Sequence, residues 1–313
     1  MSQSYEHRPV MVEEVTAIFG DVPPGPVVDA TVGGGGHARA LLGAHPQLSL
    51  IGIDRDPAAL AAAGEALREF GERAVLRRAR FDEIADVVAG LGYDAVSGAL
   101  FDLGVSSPQL DRPERGFSYR EDGPLDMRMD PDGPLTAADV LNTYDEADLA
   151  RLFAASGEHR YARRIARSVV AGRPLASTDD LVEAVKRGVP AAARRTGGHP
   201  AKRVFQAVRI EVNGELDALA PAIDAAIGLL VPGGRLVSLA YHSGEDRIVK
   251  DRFLEAASGG CVCPPGMPCV CGAVPRARLL NRGARKPSRA ELETNPRAEA
   301  ARFRALEKLE DAA

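Results

Sequence analysis

The sequence predicts an α/β fold built on a doubly wound, mainly parallel sheet with a helical insertion, and three observations support this class. A β-branched run, Val27–Val28, leads through Asp29 to the glycines at 33–36. A second apolar run ends at Asp54, roughly 20 residues further on. Strand-like and helix-like segments then alternate as far as residue 103, which is typical of sheets that bind ligands at the carboxyl ends of their strands.

Each element before residue 105 follows from a local pattern. The glycine run predicts a tight turn that leads into a helix from about Ala38, and Asp56 is a good N-cap for the alanine-rich segment that follows it. The further predicted elements are a strand over 50–53, a helix over 57–70, a strand over 74–81, a helix over 82–91 and a strand over 95–103.

The alternation stops after residue 105. Residues 106–135 are rich in Pro, Gly and charge, which indicates loops. The later predicted elements are a helical region over 137–190, one long helix over 207–230 and a strand over 235–241. The predicted domains are therefore the first part of the sheet domain, 1–105, a mainly helical insertion, 106–205, and the second part of the sheet domain, 206–313, with a Cys-rich loop and a basic tail.

The glycine loop favours a nucleoside ligand without phosphates. It lacks the Lys-Ser/Thr ending of a P-loop and fits G-x-G-x-x-G poorly. Asp29 would repel phosphates and favour a cation, while Asp54 occupies the place where a carboxylate accepts ribose hydroxyls. S-adenosylmethionine, a sulfonium without phosphate, satisfies both conditions, and the alternative is a purely structural turn.

Composition limits the class of protein. With 313 residues and 45% hydrophobic content, the chain can bury a large core. We expect a cytoplasmic protein without membrane contact, because no apolar run approaches the ~18 residues of a membrane span and the N-terminus lacks a signal-peptide pattern. The net charge of −5 argues against general polyanion binding and leaves nucleic-acid binding to local basic patches.

Several blocks of sequence carry a more specific resemblance. They include DLGVSSPQLD at 102–111, FQAVRIEVN at 205–213 and shorter blocks at 7–10, 33–37, 115–118, 123–129 and 242–247. The chain resembles the RsmH (MraW) family of S-adenosylmethionine-dependent methyltransferases, which modify N4 of a cytidine in the decoding region of bacterial 16S ribosomal RNA. The resemblance implies a Rossmann-like class I methyltransferase sheet with an inserted helical substrate-binding domain, and 16S rRNA in the small ribosomal subunit as partner.

The resemblance also implies a cofactor site. Its residues are Gly35, Gly36, His37, Asp54, Phe81, Asp102 and Gln109. Phe81 offers an apolar face for adenine, with an ordinary core aromatic as the alternative. His37 is open between a ligand contact and a hydrogen-bonding residue at a helix start.

Few residues are candidates for catalysis. The exocyclic amine of cytosine needs orientation and a proton acceptor. The candidates are Asp102, Ser106 and Ser107, with His242 as a proton relay or simply a loop cap. Tyr241 and Gly244 stand beside His242 where the family leads us to expect Phe and Leu.

Basic residues concentrate in two segments. Arg163 and Arg164 lie on one side of a predicted helix, and Lys202 and Arg203 follow in a predicted loop. Such a stripe can follow phosphates, and the alternative is a solvated helix face. The second basic run, 276–289, is expected to be flexible until RNA or another part of the protein orders it.

All four cysteines lie in one segment. Two C-x-C pairs, Cys261 with Cys263 and Cys269 with Cys271, could supply four thiolates for a structural zinc ion. Free thiols are the main alternative.

Two other functions remain open at the level of sequence. A NAD-dependent dehydrogenase would share the sheet and the ribose acid. A non-catalytic RNA-binding protein would explain the basic runs and the cysteines, but not the glycine loop. A test of cofactor binding distinguishes both from a methyltransferase, because the dehydrogenase should bind NAD and the RNA-binding protein should bind neither cofactor.

Overall fold

The computed structural model describes residues 9–194, 199–264 and 270–310, without the side chain of Ser107. The chain divides into two compact units. The first comprises residues 1–104 and 216–313, and the second comprises 105–215.

The first unit is built on a seven-stranded sheet. Its strands are β1 (Gly25–Asp29), β2 (Leu48–Asp54), β3 (Ala74–Arg78), β4 (Val96–Asp102), β5 (Leu230–Ala240), β6 (Ala277–Leu279) and β7 (Arg302–Lys308). The strand order is β3-β2-β1-β4-β5-β7-β6. The strands β1 to β5 are parallel, and β7 pairs antiparallel with both β5 and β6. This sheet confirms the predicted fold class.

Helices cover both faces of this sheet. They are α1 (Val12–Ile18), α2 (Gly36–Ala44), α3 (Pro57–Ala66), α4 (Ile84–Gly90), α12 (Glu215–Leu229), α13 (Ser243–Ser258) and α14 (Arg289–Thr294). Short 3₁₀ turns add Phe19–Asp21, Arg68–Arg73, Phe81–Glu83 and Pro296–Ala300.

The strand period of two divides the core between the two faces. Val28 and Phe101 pack in one hydrophobic cluster, and their neighbours Val27 and Leu100 pack in another. Successive strand residues point to opposite faces, so apolar side chains at both positions predict a strand buried on both sides. This is why the sequence reads as continuous apolar runs.

The second unit is helical. Its helices are α5 (Ser107–Asp111), α6 (Ala137–Thr143), α7 (Glu146–Ala155), α8 (Ala162–Ala171), α9 (Thr178–Gly188), α10 (Ala191–Arg194) and α11 (Lys202–Asn213), with a 3₁₀ turn at Pro113–Arg115. They enclose one hydrophobic cluster of their own. Asn213 fixes the preceding long loop, because its Nδ2 donates to Met127 O at 2.7 Å and its Oδ1 accepts from Met129 N at 2.8 Å.

Three predicted elements need correction. The helix over 57–70 ends at Ala66, and the strand over 74–81 ends at Arg78. The single long helix over 207–230 is wrong, because α11 and α12 are separated by Gly214 at φ 58°, a left-handed conformation that ends a helix.

The C-terminal segment contains two strands that the sequence does not predict, and both β6 and β7 join the sheet. Phe303 and Leu306 of β7 are buried, so apolar residues spaced among charges supply a strand. Among the described residues, no helix has the length and apolarity needed to cross a bilayer.

Candidate functional site

Three carboxylates lie at the carboxyl ends of neighbouring strands. Asp29 ends β1, Asp54 ends β2 and Asp102 ends β4. The direction of the strand order reverses between β1 and β4. Asp29 pairs in register with Gly52 of β2 and Leu100 of β4, and each of these residues stands two positions before the acid that ends its strand. This crevice is the ligand site of doubly wound folds.

The glycine loop follows β1 and begins α2. Gly33 and Gly35 have φ values of 52° and 81°, the left-handed region that favours glycine. A Cβ on Gly36 would lie 2.5 Å from Pro9 Cγ, so close packing explains that glycine. Gly34 differs, because it is exposed and a Cβ there would have no neighbour within 4 Å in the described structure. Its small size leaves open space beside the strand ends.

Asp54 holds this loop in place. Its Oδ2 accepts from Gly33 N at 2.9 Å, and its Oδ1 accepts from Asp56 N at 2.9 Å. Burial raises the pKa of Asp54, although these two backbone hydrogen bonds oppose the shift. Each carboxylate oxygen can accept a further hydrogen bond, because each has a second lone pair.

Asp102 is the centre of a polar cluster. Tyr241 Oη donates to its Oδ1 at 2.7 Å, and His37 Nε2 lies 3.4 Å from its Oδ2. Thr31 Oγ1 accepts from the backbone N–H of Asp102 at 2.7 Å, which ties the end of β4 to the loop after β1. Burial and the neighbouring Asp102 carboxylate raise the pKa of Tyr241 well above its usual range, so its hydroxyl remains a donor.

His37 is buried in the first turn of α2. Its Nε2 lies 3.4 Å from Asp102 Oδ2, and within the described residues neither ring nitrogen has a hydrogen-bond partner. Burial lowers the pKa of His37, but the carboxyl groups of Asp102, Asp29 and Glu291 together outweigh it, so the net direction is upward. The side chain therefore faces the carboxylate cluster.

Asp29 is fully enclosed. It is 1% exposed, and its Oδ1 accepts from Thr31 N at 3.2 Å. Burial raises its pKa from 3.8 to about 7, against the opposing charge of His37. The strand-end edge therefore holds acid groups that a cation would help to ionise.

Phe81 lies one turn beyond β3, at the start of a 3₁₀ turn. Its ring meets Phe101 edge to face, with centroids 6.3 Å apart. The side chain is half-buried and packs against the core. An apolar face for adenine and a core aromatic both remain open.

Three predicted site residues belong to the second unit. Ser106 is the N-cap of α5, and Gln109 is buried with its Oε1 accepting from Ser106 N at 3.1 Å. Ser107 is the first residue of α5. Within that unit, Gln109 therefore has a local structural role.

His242 caps α13. Its Nδ1 accepts from Gly244 N at 3.2 Å and from Glu245 N at 3.4 Å, while Glu245 Oε2 accepts from Tyr241 N at 2.8 Å. An Nδ1 that accepts two backbone hydrogen bonds leaves the proton on Nε2. This geometry favours the loop-capping alternative for His242.

The predicted basic stripe lies on α8 and α11. Ala162, Ile165 and Val169 of α8 are buried, whereas Arg163 and Arg164 are exposed on the opposite side. Lys202 and Arg203 begin the helix α11 instead of lying in a loop as predicted. Both are exposed, and Arg203 Nη1 lies 3.7 Å from Glu158 Oε2. In the part of the chain that the structure describes, Arg163 and Arg164 have no ion-pair partner.

The second basic run is held by the protein itself. Arg278 of β6 pairs with Glu307 of β7 at 2.8 Å, and Arg285 forms a backbone bridge with Phe303. We predicted that either RNA or another part of the protein orders this run, and contacts within the protein do so.

Three of the four cysteines come together. The Sγ atoms of Cys261, Cys263 and Cys271 lie within 4.8 Å of one another. Cys269, the fourth predicted ligand, lies outside the described residues.

Sequence reasoning missed two partners of Asp102. Thr31 is 71 residues away and Tyr241 is 139 residues away along the chain, and pattern analysis reads only local spacing. The one sequence signal was Tyr241 itself, a hydroxyl at a position where we expected Phe.

Comparison with known proteins shows the family of this chain. The model of the MraW methylase family matches residues 4–309. Ribosomal RNA small subunit methyltransferase H of Mycobacterium sp. (strain KMS) is 52% identical over 97% of this chain and 84% of its own length. The proteins of that name from Frankia alni and Heliobacterium modesticaldum are 54% and 49% identical, over 96% and 97% of this chain and 95% and 99% of their own lengths.

Proposed function

Because the chain belongs to the MraW methylase family, we propose that it transfers a methyl group from S-adenosylmethionine to N4 of a cytidine in the decoding region of 16S rRNA. The family match over residues 4–309 carries this proposal. Relatives named ribosomal RNA small subunit methyltransferase H, about half identical over nearly the whole chain, support rRNA as the substrate. This substrate would place the reaction in the cytoplasm, on the small ribosomal subunit.

The charge at the strand ends fits this cofactor. Asp29, Asp54 and Asp102 bring three carboxyl groups to one edge, which disfavours a pyrophosphate and favours a sulfonium cation. Asp54 retains lone pairs for ribose hydroxyls while it holds the loop. The donor set thus supports a nucleoside with a positive charge.

The shape of the loop fits as well. Gly33, Gly35 and Gly36 have conformational or packing reasons to be glycine, but Gly34 has neither. An open glycine beside the strand ends is suited to close approach by a ligand. The first N–H groups of α2 point out of the same loop and can donate to the carboxylate of an amino-acid moiety. We assign the cofactor to Gly35, Gly36, His37, Asp54, Phe81, Asp102 and Gln109.

The protein must orient an amine and accept its proton. When bound, S-adenosylmethionine supplies a methyl group that is already strongly electrophilic, so positioning accounts for much of the rate. Asp102 is held by the hydrogen bond from Tyr241 Oη to its carboxylate and by the hydrogen bond from its backbone N–H to Thr31 Oγ1. Its carboxylate can therefore accept an N–H hydrogen bond without first reorganising. Ser106 and Ser107 are the further proposed acceptors, and His242 is disfavoured by its capping role.

The RNA would bind the second unit. Arg163, Arg164 and Lys202 present exposed charge on helices whose opposite sides are buried, so their charge is available to phosphates. Arg203 extends this set. A target cytidine must be unpaired or splayed out, because its N4 amine is otherwise engaged in base pairing.

The decisive experiment measures methyl transfer from labelled S-adenosylmethionine to small ribosomal subunits that lack the modification. We expect the label in N4-methylcytidine after nucleoside analysis. Asp102→Ala should lose most of this activity and weaken cofactor binding by about 1–3 kcal/mol, because a charge-assisted hydrogen bond is removed.

The matched control is Asp86→Ala, which removes an exposed acid on α4. It should behave as wild type in both assays. Label in another nucleoside would overturn the cytidine N4 assignment, and wild-type cofactor affinity in Asp102→Ala would overturn the site.

A further inference from the structure

The loop between α13 and β6 is long, and its two ends lie against each other. Gly259 follows α13 at φ 64°, and a Cβ there would lie 2.3 Å from Val274 O. Arg276 N donates to Ala256 O at 2.8 Å, so the returning chain rejoins the helix it left. In between, the described residues form no helix or strand. Because these described residues have no secondary structure, they need another source of order.

Hydrophobic burial does not supply that order. Val262 and Val270 are 85% and 89% exposed, although each stands between or beside cysteines. The cysteines instead turn toward one another. Apolar side chains in solvent and sulfur atoms in contact are the reverse of what a small hydrophobic cluster would show.

The sulfur geometry suits a metal ion. Cys271 Sγ and Cys261 Sγ are 3.7 Å apart, and the Sγ atoms of Cys261, Cys263 and Cys271 all lie within 4.8 Å of one another. Ligands about 2.3 Å from a tetrahedral zinc ion lie about 3.8 Å from each other. The backbone N–H of Val270 also points at Cys263 Sγ, at 3.4 Å, and such a donor stabilises a thiolate.

A disulfide accounts for the cluster less well. The described sulfurs are not placed as a bonded pair, because Cys271 Sγ and Cys261 Sγ are 3.7 Å apart and an S–S bond is about 2.05 Å long. A zinc ion uses all three, and each thiol releases its proton to solvent as it binds.

We propose that Cys261, Cys263 and Cys271 bind a zinc ion that crosslinks the α13–β6 loop. Two of the ligands come early in the loop and one comes late, so the ion links the outgoing and returning parts of the loop. Three thiolates from one loop hold the ion and a further ligand completes its tetrahedron, so its role is to crosslink this loop. It goes beyond the methyltransferase assignment and does not depend on it.

The test uses the full chain, purified under reducing conditions, dialysed and then loaded with Zn²⁺ alone. We expect one tightly held zinc ion per chain, counted by a chromogenic chelator after a thiol reagent releases it. Replacement by Co²⁺ should give the thiolate-to-cobalt charge-transfer band and the visible bands of tetrahedral coordination. Chelation should make the segment 260–276 a preferred site of limited proteolysis.

Two variants make the result specific. Cys263→Ser should lower bound zinc at least about tenfold, since a thiolate ligand is lost. Val262→Ser changes an exposed neighbour in the same loop and should keep the full complement. Zinc retained by Cys263→Ser, or a zinc-free wild-type chain whose thiols all titrate as free, would overturn the proposal. A wild-type chain in which two of the thiols form a stable disulfide and no zinc binds would overturn it as well.

Discussion

At the scale of single residues, the orientation of the Asp102 carboxylate depends on the Tyr241 hydroxyl. Tyr241 donates to Asp102 Oδ1 at 2.7 Å, and His37 approaches the other oxygen. The Tyr241 hydroxyl holds one oxygen by a hydrogen bond, and His37 lies near the other without one. Removing this hydroxyl should weaken the orientation of Asp102 without emptying the site.

Tyr241→Phe tests this arrangement with little change in volume. We expect methyl transfer to fall by roughly 3- to 30-fold, because a hydrogen bond to a carboxylate is lost. The urea midpoint should change little. Steady-state kinetics of the variant and of a control, Tyr93→Phe at an exposed position, measure the effect. Equal rates in Tyr241→Phe and wild type would show that Asp102 does not need this hydrogen bond for methyl transfer.

Asp29 links folding to pH. Burial raises its pKa to about 7, so between its ordinary 3.8 and about 7 the folded state holds a proton that the unfolded state has released. The stability from this group therefore falls as pH rises through that window, and the loss is complete above about pH 7.

Asp29→Asn should remove this dependence, since an amide keeps the oxygen that accepts from Thr31 N. We expect the variant to exceed wild type by about 2–4 kcal/mol near pH 8, with the difference shrinking toward pH 4. Urea unfolding across this range measures it, with Asp86→Asn as the exposed control. A difference that does not vary with pH would contradict the assignment.

At the scale of elements, α8 separates packing from charge. Its buried side is formed by small and branched apolar residues such as Ala162 and Ile165, and its exposed side carries the arginines. Substitutions on the exposed side should therefore leave the fold intact. This makes α8 the best element for testing RNA contact.

The double variant Arg163→Ala, Arg164→Ala should weaken binding of small-subunit RNA and reduce the slope of log K against log salt by about 1–2, because up to two phosphate contacts are lost. Cofactor affinity should not change. Arg68→Ala with Arg77→Ala, at exposed positions of the first unit, is the matched control. An unchanged salt slope in the α8 variant would support the solvated-face alternative.

At the scale of the whole molecule, the last strand completes the sheet. β7 lies between β5 and β6, with six residue pairs to β5 from Arg235–Glu307 to Ala240–Arg302. The arginine of the first pair also contacts Glu307 through its side chain, at 3.0 Å. The chain segment near the C-terminus is therefore part of the core.

A chain that ends at residue 301 should fail to unfold cooperatively, because it exposes the edge of β5 and loses the buried Phe303 and Leu306. Near-ultraviolet circular dichroism during urea titration measures this. The control is Glu310→Ala, an exposed position just beyond β7, which should have no effect. A wild-type midpoint in the shorter chain would show that β7 is dispensable.

Much of the sheet could be predicted because local pattern and fold agree there. The strands before residue 105 have continuous apolar runs, and the glycine turn marks where the first one ends. The long helix over 207–230 was wrong because a single residue, Gly214, breaks a pattern that is otherwise helical on both sides. The strands β6 and β7 were missed because their charged side chains resemble those of a solvated tail.

The sequence by itself determined the acids at the strand ends, the glycine loop, the family and the cysteine spacing, because each is a local pattern of residue types. Only the tertiary structure decided which atoms meet. It placed Thr31 and Tyr241 beside Asp102, made His242 the N-cap of α13, and brought three sulfur atoms together in one loop. The physical reason is that such contacts join residues far apart in the chain, and only folding brings those residues within hydrogen-bond distance.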